Sequence, residues 1–218
     1  MVRREPPVAV WVGVKRKAKI PTLTDEIKNP TLSHKTRQGW GTRTKAERSN
    51  RTMDITWLDE DERIGVGGGI WNVANMAKVA KEGITHIIDM QIECDDRKLG
   101  PEEYGIEVLW NPTDDDFLPK DPELFQAGVD FVQAAFAERT DARVFIHCAA
   151  GVHRAPMMAL AVLCTIREMD LDDAKHLIED KRPVADFAEV YVESVARFLR
   201  DRKRGEPPSG GRWMSPFR

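Results

Sequence analysis

Cys148 and Arg154 stand six residues apart in the stretch "VFIHCAAGVHRAPMMALAVL", residues 144–163. A run of apolar residues leads into the thiol, small residues follow, and a helix-like apolar stretch begins at the guanidinium. A strand that enters a helix through such a loop turns several backbone N–H groups towards one point. That point lies at the positive end of the helix dipole, which makes it an anion site. Ala149, Ala150 and Gly151 let the backbone approach an anion closely, and Gly151 is free to adopt positive φ. Val152 and His153 complete the loop, and Arg154 adds a planar fork able to hold two phosphate oxygens. The same field favours Cys148 as thiolate over thiol. Phosphate binding is therefore assigned to Ala149, Ala150, Gly151, Val152, His153 and Arg154, and nucleophilic attack on phosphorus to Cys148.

Breaking a phosphate ester also requires a proton on the departing oxygen, which a carboxylic acid can supply before acting as base towards water. The segment "LWNPTDDDFLP" offers Asp114, Asp115 and Asp116 just after an apolar strand, where a loop can hang over the site. Three acids in a loop can equally be a solvated turn that helps cap the next helix.

These residues need a scaffold, and from about Ile55 the pattern alternates strand and helix. "RIGVGGGI" reads as a short strand and a glycine-rich tight turn; it lacks the Lys-Ser/Thr of a nucleotide loop. "WNVANMAKVAKEG" places Val73, Met76, Ala77 and Ala80 on one helical face, with Gly83 as the stop. "ITHIIDM" and "IEVLWNP" read as strands. "DPELFQAGVDFVQAAFAER" opens on an Asp-Pro cap and aligns Leu124, Val129, Val132 and Phe136. "ARVFIHC" is the most apolar strand, and "PMMALAVLCTIREM" is apolar on nearly all sides, hence central. "LDDAKHLIEDKR" and "FAEVYVESVARFLRD" are amphipathic helices. The fold class is α/β: a single domain with a mostly parallel central sheet flanked by helices, plus a basic N-terminal extension. In such sheets the site lies outside the carboxyl ends of the strands, where Cys148 falls.

With His147 directly before the cysteine, "HCAAGVHRA" matches the His-Cys-two residues-Gly-two residues-Arg pattern and resembles the cysteine-dependent dual-specificity protein phosphatases. The resemblance covers roughly residues 55–200, and "DKRP" (Asp180 to Pro183) is similar to the family's turn before the last helix. It implies a shallow pocket and metal-free, cofactor-free chemistry through a phosphocysteine, with His147 in support. It also orders the acids. The family's acid lies about ten residues before an aromatic and three after a proline, which points to Asp115, counted from Phe125 and Pro112, with Asp114 second and Asp116 third. One departure stands out: Ala155 follows the loop arginine, where most members carry Ser or Thr. The triplet "RAP" resembles phosphatases of regenerating liver and plant glucan phosphatases, although the prenylation box of the former is missing. The implied substrate is a phosphorylated protein, phosphotyrosine first, with phosphoserine and phosphothreonine open. The same chemistry on RNA 5′-triphosphate, phosphoinositide or glucan, and a phosphate-binding pseudophosphatase, are the alternatives. A rhodanese-type sulfur transferase would have no use for the Asp115 loop.

Composition sets the remaining bounds. The chain of 218 residues is 41% hydrophobic and 32% charged, and no apolar run reaches a membrane span. Its net charge of −3 hides an asymmetry: residues 1–52 carry 13 Lys/Arg against 4 Asp/Glu, and the remainder carries 20 against 32. The domains read as a basic extension at 1–52, a phosphatase-like domain at 53–203 and a tail at 204–218. The extension is a solvated arm, or one that docks on the acidic body or on an anionic partner such as nucleic acid or phospholipid. "VAVWVGV", Trp11 and Trp40 argue for some order there, and Trp213 for an anchor in the tail. Three scattered cysteines make neither a disulfide framework nor a zinc site, which favours a reducing, cytoplasmic setting. Cys94 reads as a bystander, with trapping of oxidised Cys148 as the alternative; Cys164 reads as core. His153 reads as a rim residue, with a proton-carrying role as the alternative.

Overall fold

The computed structural model describes residues 53–205. The basic extension and residues 206–218 lie outside the described residues, and with them the expectations for "VAVWVGV", Trp11, Trp40 and Trp213. The described elements are β1 Ile55–Trp57, β2 Ile64–Gly67, α1 Val73–Lys81, β3 His86–Asp89, β4 Glu107–Trp110, α2 Pro122–Glu138, β5 Val144–His147, α3 Arg154–Ile166, α4 Leu171–Lys181 and α5 Glu189–Arg204, with short 3-10 turns at Asp96–Leu99 and Pro101–Tyr104. The sheet order is β1-β2-β5-β3-β4. Only β1 runs antiparallel; β2, β5, β3 and β4 are parallel. β5 is thus the middle strand, and the loops leaving β2, β3, β4 and β5 share one end of the sheet.

Strand alternation divides the core in two. Ile64, Val66, Ile88, Val144 and Ile146 face a large cluster built with α2, α3, α4 and α5. Ile87 and Phe145 face the opposite side with Met76 and Val79 of α1 and Ile106. Because successive strand side chains point to opposite faces, a strand buried on both sides must be apolar at every position. Val144, Phe145 and Ile146 meet that condition at 0% exposure. Residues 154–163 of α3 are all buried, which explains why that helix is apolar on nearly all sides. Each fully buried large aliphatic contributes roughly 1.5–3 kcal/mol, so α3 is the central strut behind the loop that precedes it.

Two helical faces differ in phase from the expected ones. In α1 the inward residues are Met76 and Val79, whereas Val73 is 63% exposed. Val73 is the first helical residue, at the end of the helix where Asn72 accepts the Asn75 N–H at 2.9 Å. In α2 the deepest residues are Phe125, Val129 and Val132, and Leu124 and Phe136 flank them half-buried. The rotation follows from Gly128: a Cβ there would lie 2.4 Å from Met158 Sδ, so α2 meets α3 along its glycine side. Asp121 occupies the N-cap position without a side-chain capping bond, and Pro122 begins the helix.

Candidate active site

The loop of residues 148–153 is held from behind, one carbonyl at a time. The Ala149 carbonyl accepts the Gly69 N–H at 3.4 Å, and the Val152 carbonyl accepts the Asp186 N–H at 2.8 Å. Arg182 Nε donates to the Gly151 carbonyl at 2.7 Å, and its Nη2 donates to the Ala150 carbonyl at 3.4 Å. The chain contains no cis peptide among its described residues, and in a trans peptide the N–H points opposite the preceding carbonyl. Anchoring those four carbonyls therefore turns the N–H groups of Ala150, Gly151, Val152 and His153 away from the anchors. The Gly151 N–H meets Cys148 Sγ at 3.3 Å. The sulfur lies inside the ring of amides.

Gly151 takes φ +66°, and a Cβ there would stand 2.5 Å from the Gly67 carbonyl and 2.4 Å from Arg182 Nη2. Glycine is the residue that fits. The stretch "GVGGG" ends the expected short strand, β2, and then backs the loop at Gly67 and Gly69. Arg182 is fixed in its turn by Asp54 Oδ2 at 2.7 Å and Thr56 Oγ1 at 3.1 Å, while Asp54 Oδ1 accepts the Gly68 N–H at 2.9 Å. Arg182 lies within "DKRP", a turn whose sequence carries no sign of this role, and Asp54 carries no sequence signal at all. Nothing local joins the residue just before the first strand to one 128 positions later.

Arg154 opens α3, only 2% exposed. Its Nη1 and Nη2 form a fork on Glu93, at 3.0 Å to Oε2 and 2.8 Å to Oε1, and Nη1 also donates to the Thr113 carbonyl at 3.1 Å. Burial pushes the Glu93 carboxyl up, but the hydrogen bond and charge of Arg154 outweigh it and hold Glu93 below its ordinary value. The guanidinium is thereby oriented before any substrate arrives, with its buried Nε lacking a hydrogen-bond partner. Glu93, in the loop after β3, was another residue the sequence did not disclose; an acid in "QIECDD" carries no signal of its own.

His147 is fully buried with Asp89 and Asp96, its Nε2 lying 2.7 Å from Asp96 Oδ2 and 3.8 Å from Asp89 Oδ1. Burial alone would lower the imidazole, but the two carboxylates raise it, and burial together with Asp96 pushes Asp89 up to about 7. Asp89 accepts the backbone N–H groups of Gln91 at 2.8 Å and Asp96 at 3.1 Å. Among the described residues these three are the cluster whose donor atoms lie close enough to share a cation, within 4.8 Å of one another. Their enclosure and the close His147–Asp96 approach put this polar cluster directly before Cys148 in the chain.

Of the three acids, Asp115 turns to the loop. Its Oδ2 lies 3.0 Å from His153 Nδ1 and 3.9 Å from Arg154 Nε, and its Oδ1 accepts the Tyr191 hydroxyl at 3.3 Å. Asp116 turns away to Lys120 Nζ at 2.5 Å. Asp114 is exposed. Cys94 follows β3, its thiol pushed up to about 11 by burial and then by Asp96, Asp89 and Asp95, so it is a poor thiolate for trapping an oxidised sulfur. Cys164 packs half-buried against the main core, in keeping with the structural role expected of it.

A family model described as "Dual specificity phosphatase, catalytic domain" matches residues 69–200. The chain belongs to the dual-specificity phosphatase family. Human protein phosphatase Slingshot homolog 3 is 30% identical over 118 residues, which cover 54% of this chain and 17% of that protein. Human dual specificity protein phosphatase 16 is 29% identical over 112 residues, covering 51% of this chain and 16% of that protein. The chain thus spans less than a fifth of these curated relatives. Among solved structures, PTPMT1 in complex with PI(5)P superposes with a TM-score of 0.61 at 19% identity, covering 69% of this chain and 97% of that one. This dual-specificity phosphatase therefore shares its α/β fold with structures whose sequences have diverged widely.

Proposed function

We propose that this chain hydrolyses phosphate monoesters through a phosphocysteine at Cys148, on phosphotyrosine above all and on phosphoserine and phosphothreonine as well. The observation that carries the reading is the loop itself: four amide N–H groups turned from their anchored carbonyls, beside an Arg154 whose buried Nε has no hydrogen-bond partner. Sulfur attacks phosphorus, the S–P bond forms as the P–O bond breaks, and Asp115 delivers a proton to the leaving oxygen. Water then attacks phosphorus, its proton passes to Asp115, and the thiolate departs. Charge developing on the equatorial oxygens meets donors already in place, which is the usual largest source of rate enhancement.

The rim supports an aromatic substrate. Phe117 stacks on Tyr191 at 5.8 Å with rings 8° apart, and it meets the edge of His153 at 5.2 Å. Phe117 and Leu118 remain 52% and 58% exposed beside the acid, an apolar lip suited to a tyrosyl ring. Initial rates on phosphotyrosine, phosphoserine and phosphothreonine peptides, RNA 5′-triphosphate and phosphoinositide test this. The phosphotyrosine peptide is expected to lead in kcat/KM by about tenfold, the worth of one good aromatic contact. A leading RNA or phosphoinositide rate would overturn the choice of substrate.

Ala155 is fully buried in the first turn of α3, so no hydroxyl assists the sulfur as it leaves. Ala155→Ser is expected to raise kcat about tenfold, the value of one hydrogen bond to a charged group. A burst of p-nitrophenol that shrinks in the variant would locate the gain in the second step; an unchanged burst and kcat would refute it.

A further inference from the structure

The His153 ring is clamped between two carboxylates that belong to different loops. Nδ1 lies 3.0 Å from Asp115 Oδ2, in the loop after β4, and Nε2 lies 3.4 Å from Asp186 Oδ2, in the loop between α4 and α5. We propose that His153 and Asp115 act as one proton-sharing unit, in which the imidazole stores the proton that Asp115 passes to the leaving oxygen. The inference rests on the phosphatase reading above and adds a positioning residue to it.

A lone carboxylic acid is poorly suited to this task at neutral pH. With an ordinary value near 3.9, an aspartate carries a proton in only about one molecule in a thousand at pH 7. In this site the deficit deepens: burial raises the Asp115 carboxyl, but the His153 hydrogen bond and charge, then Arg154 and Tyr191, outweigh it and hold it low. The same contact has the opposite effect on the imidazole. The hydrogen bond to Asp115 raises His153 above its ordinary value, against burial, and Asp186 raises it further. The groups that face the pair are Asp115, Asp186, Tyr191 of α5, Arg154 of α3 and the ring of Phe117. Arg154 is already matched by Glu93, which leaves His153 as the proton-bearing cation beside the acid.

The proton balance closes over the two steps. As the P–O bond breaks, the Nδ1 proton moves onto the Asp115 carboxylate and from there to the departing oxygen. The imidazolium becomes imidazole, and Asp115 remains a carboxylate. Asp186 holds the remaining proton on Nε2, so Nδ1 is free to accept. When water attacks the phosphocysteine, its proton returns through Asp115 to Nδ1. The unit works while it holds one proton, so the rate falls as pH rises through the elevated His153 value, not through the carboxylate range.

His153→Gln keeps an N–H directed at Asp115 but has no proton to release. With an alkyl phosphate, whose leaving oxygen depends on protonation, kcat/KM at pH 7 is expected to fall roughly 10²-fold, the lower end for general-acid catalysis. The basic limb of the kcat/KM profile should move towards acid by more than about one unit. For p-nitrophenyl phosphate, whose leaving group needs little help, the loss in kcat/KM should be smaller by about tenfold or more. Asp186→Asn alters a side chain that is 75% exposed and should move the basic limb the same way by less. A His153→Gln limb that stays in place, or equal losses on both substrates, would overturn the proton-sharing unit while leaving the phosphatase reading intact. A wild-type chain inactive on both substrates would overturn the phosphatase reading, and this one with it.

Discussion

Cys148→Ser is expected to abolish turnover of p-nitrophenyl phosphate while leaving the fold and the anion site in place. Sulfur is the attacking atom only as thiolate, and a serine hydroxyl in the same ring of amides stays protonated at neutral pH. The loss should be on the order of 10⁴-fold or more, as for other nucleophiles removed from a prepared site. The fold should tolerate the change. Cys148 is 2% exposed in a loop fixed by its carbonyls, and serine is slightly smaller than cysteine. The variant should therefore bind a phosphopeptide without consuming it, giving a stable complex by calorimetry. Wild-type turnover in Cys148→Ser would remove the nucleophile from the site.

Arg154→Lys should be nearly as damaging, although the charge is kept. The guanidinium satisfies Glu93 through two nitrogens and the Thr113 carbonyl at 3.1 Å, and its Nε remains for the substrate. A lysine ammonium is a single point charge and cannot hold Glu93 and a phosphate oxygen in fixed directions at once. It would be drawn to Glu93 and withdrawn from the transition state. A fall in kcat/KM of about 10³-fold is expected, as for loss of a preorganised donor to a developing oxyanion. Most of it should appear in kcat, because the amide ring still binds the ground-state dianion. A lysine variant within about threefold of wild type would show that the amides alone stabilise the transferring phosphoryl group.

The candidate catalytic loop was legible because it is local. Cys148, Gly151 and Arg154 lie within seven consecutive residues, and that spacing is enough to name a thiol, a tight amide loop and a guanidinium as parts of one candidate anion site. The alternation of apolar runs likewise declared a mostly parallel sheet, since β5 must be apolar on both faces to lie at its centre. Helix phase was less legible: Val73 has the right type for a core face but begins α1, and the orientation of α2 depends on Gly128 meeting Met158 across the helix pair.

Tertiary structure alone decided who supports the loop. Glu93, Asp115, Asp186 and Arg182 come from three connections, and parallel strands deliver three of the site's loops to one edge of the sheet. Arg182 turns the carbonyls outward, Glu93 orients the guanidinium, and the two aspartates flank His153. Asp115 apart, which the family spacing from Pro112 and Phe125 singled out, no spacing along the chain encodes these meetings, because a charged loop residue costs little wherever it lies until folding brings it a partner. Contiguous residues could announce a candidate chemistry; the distances between loops decided which side chains meet around it.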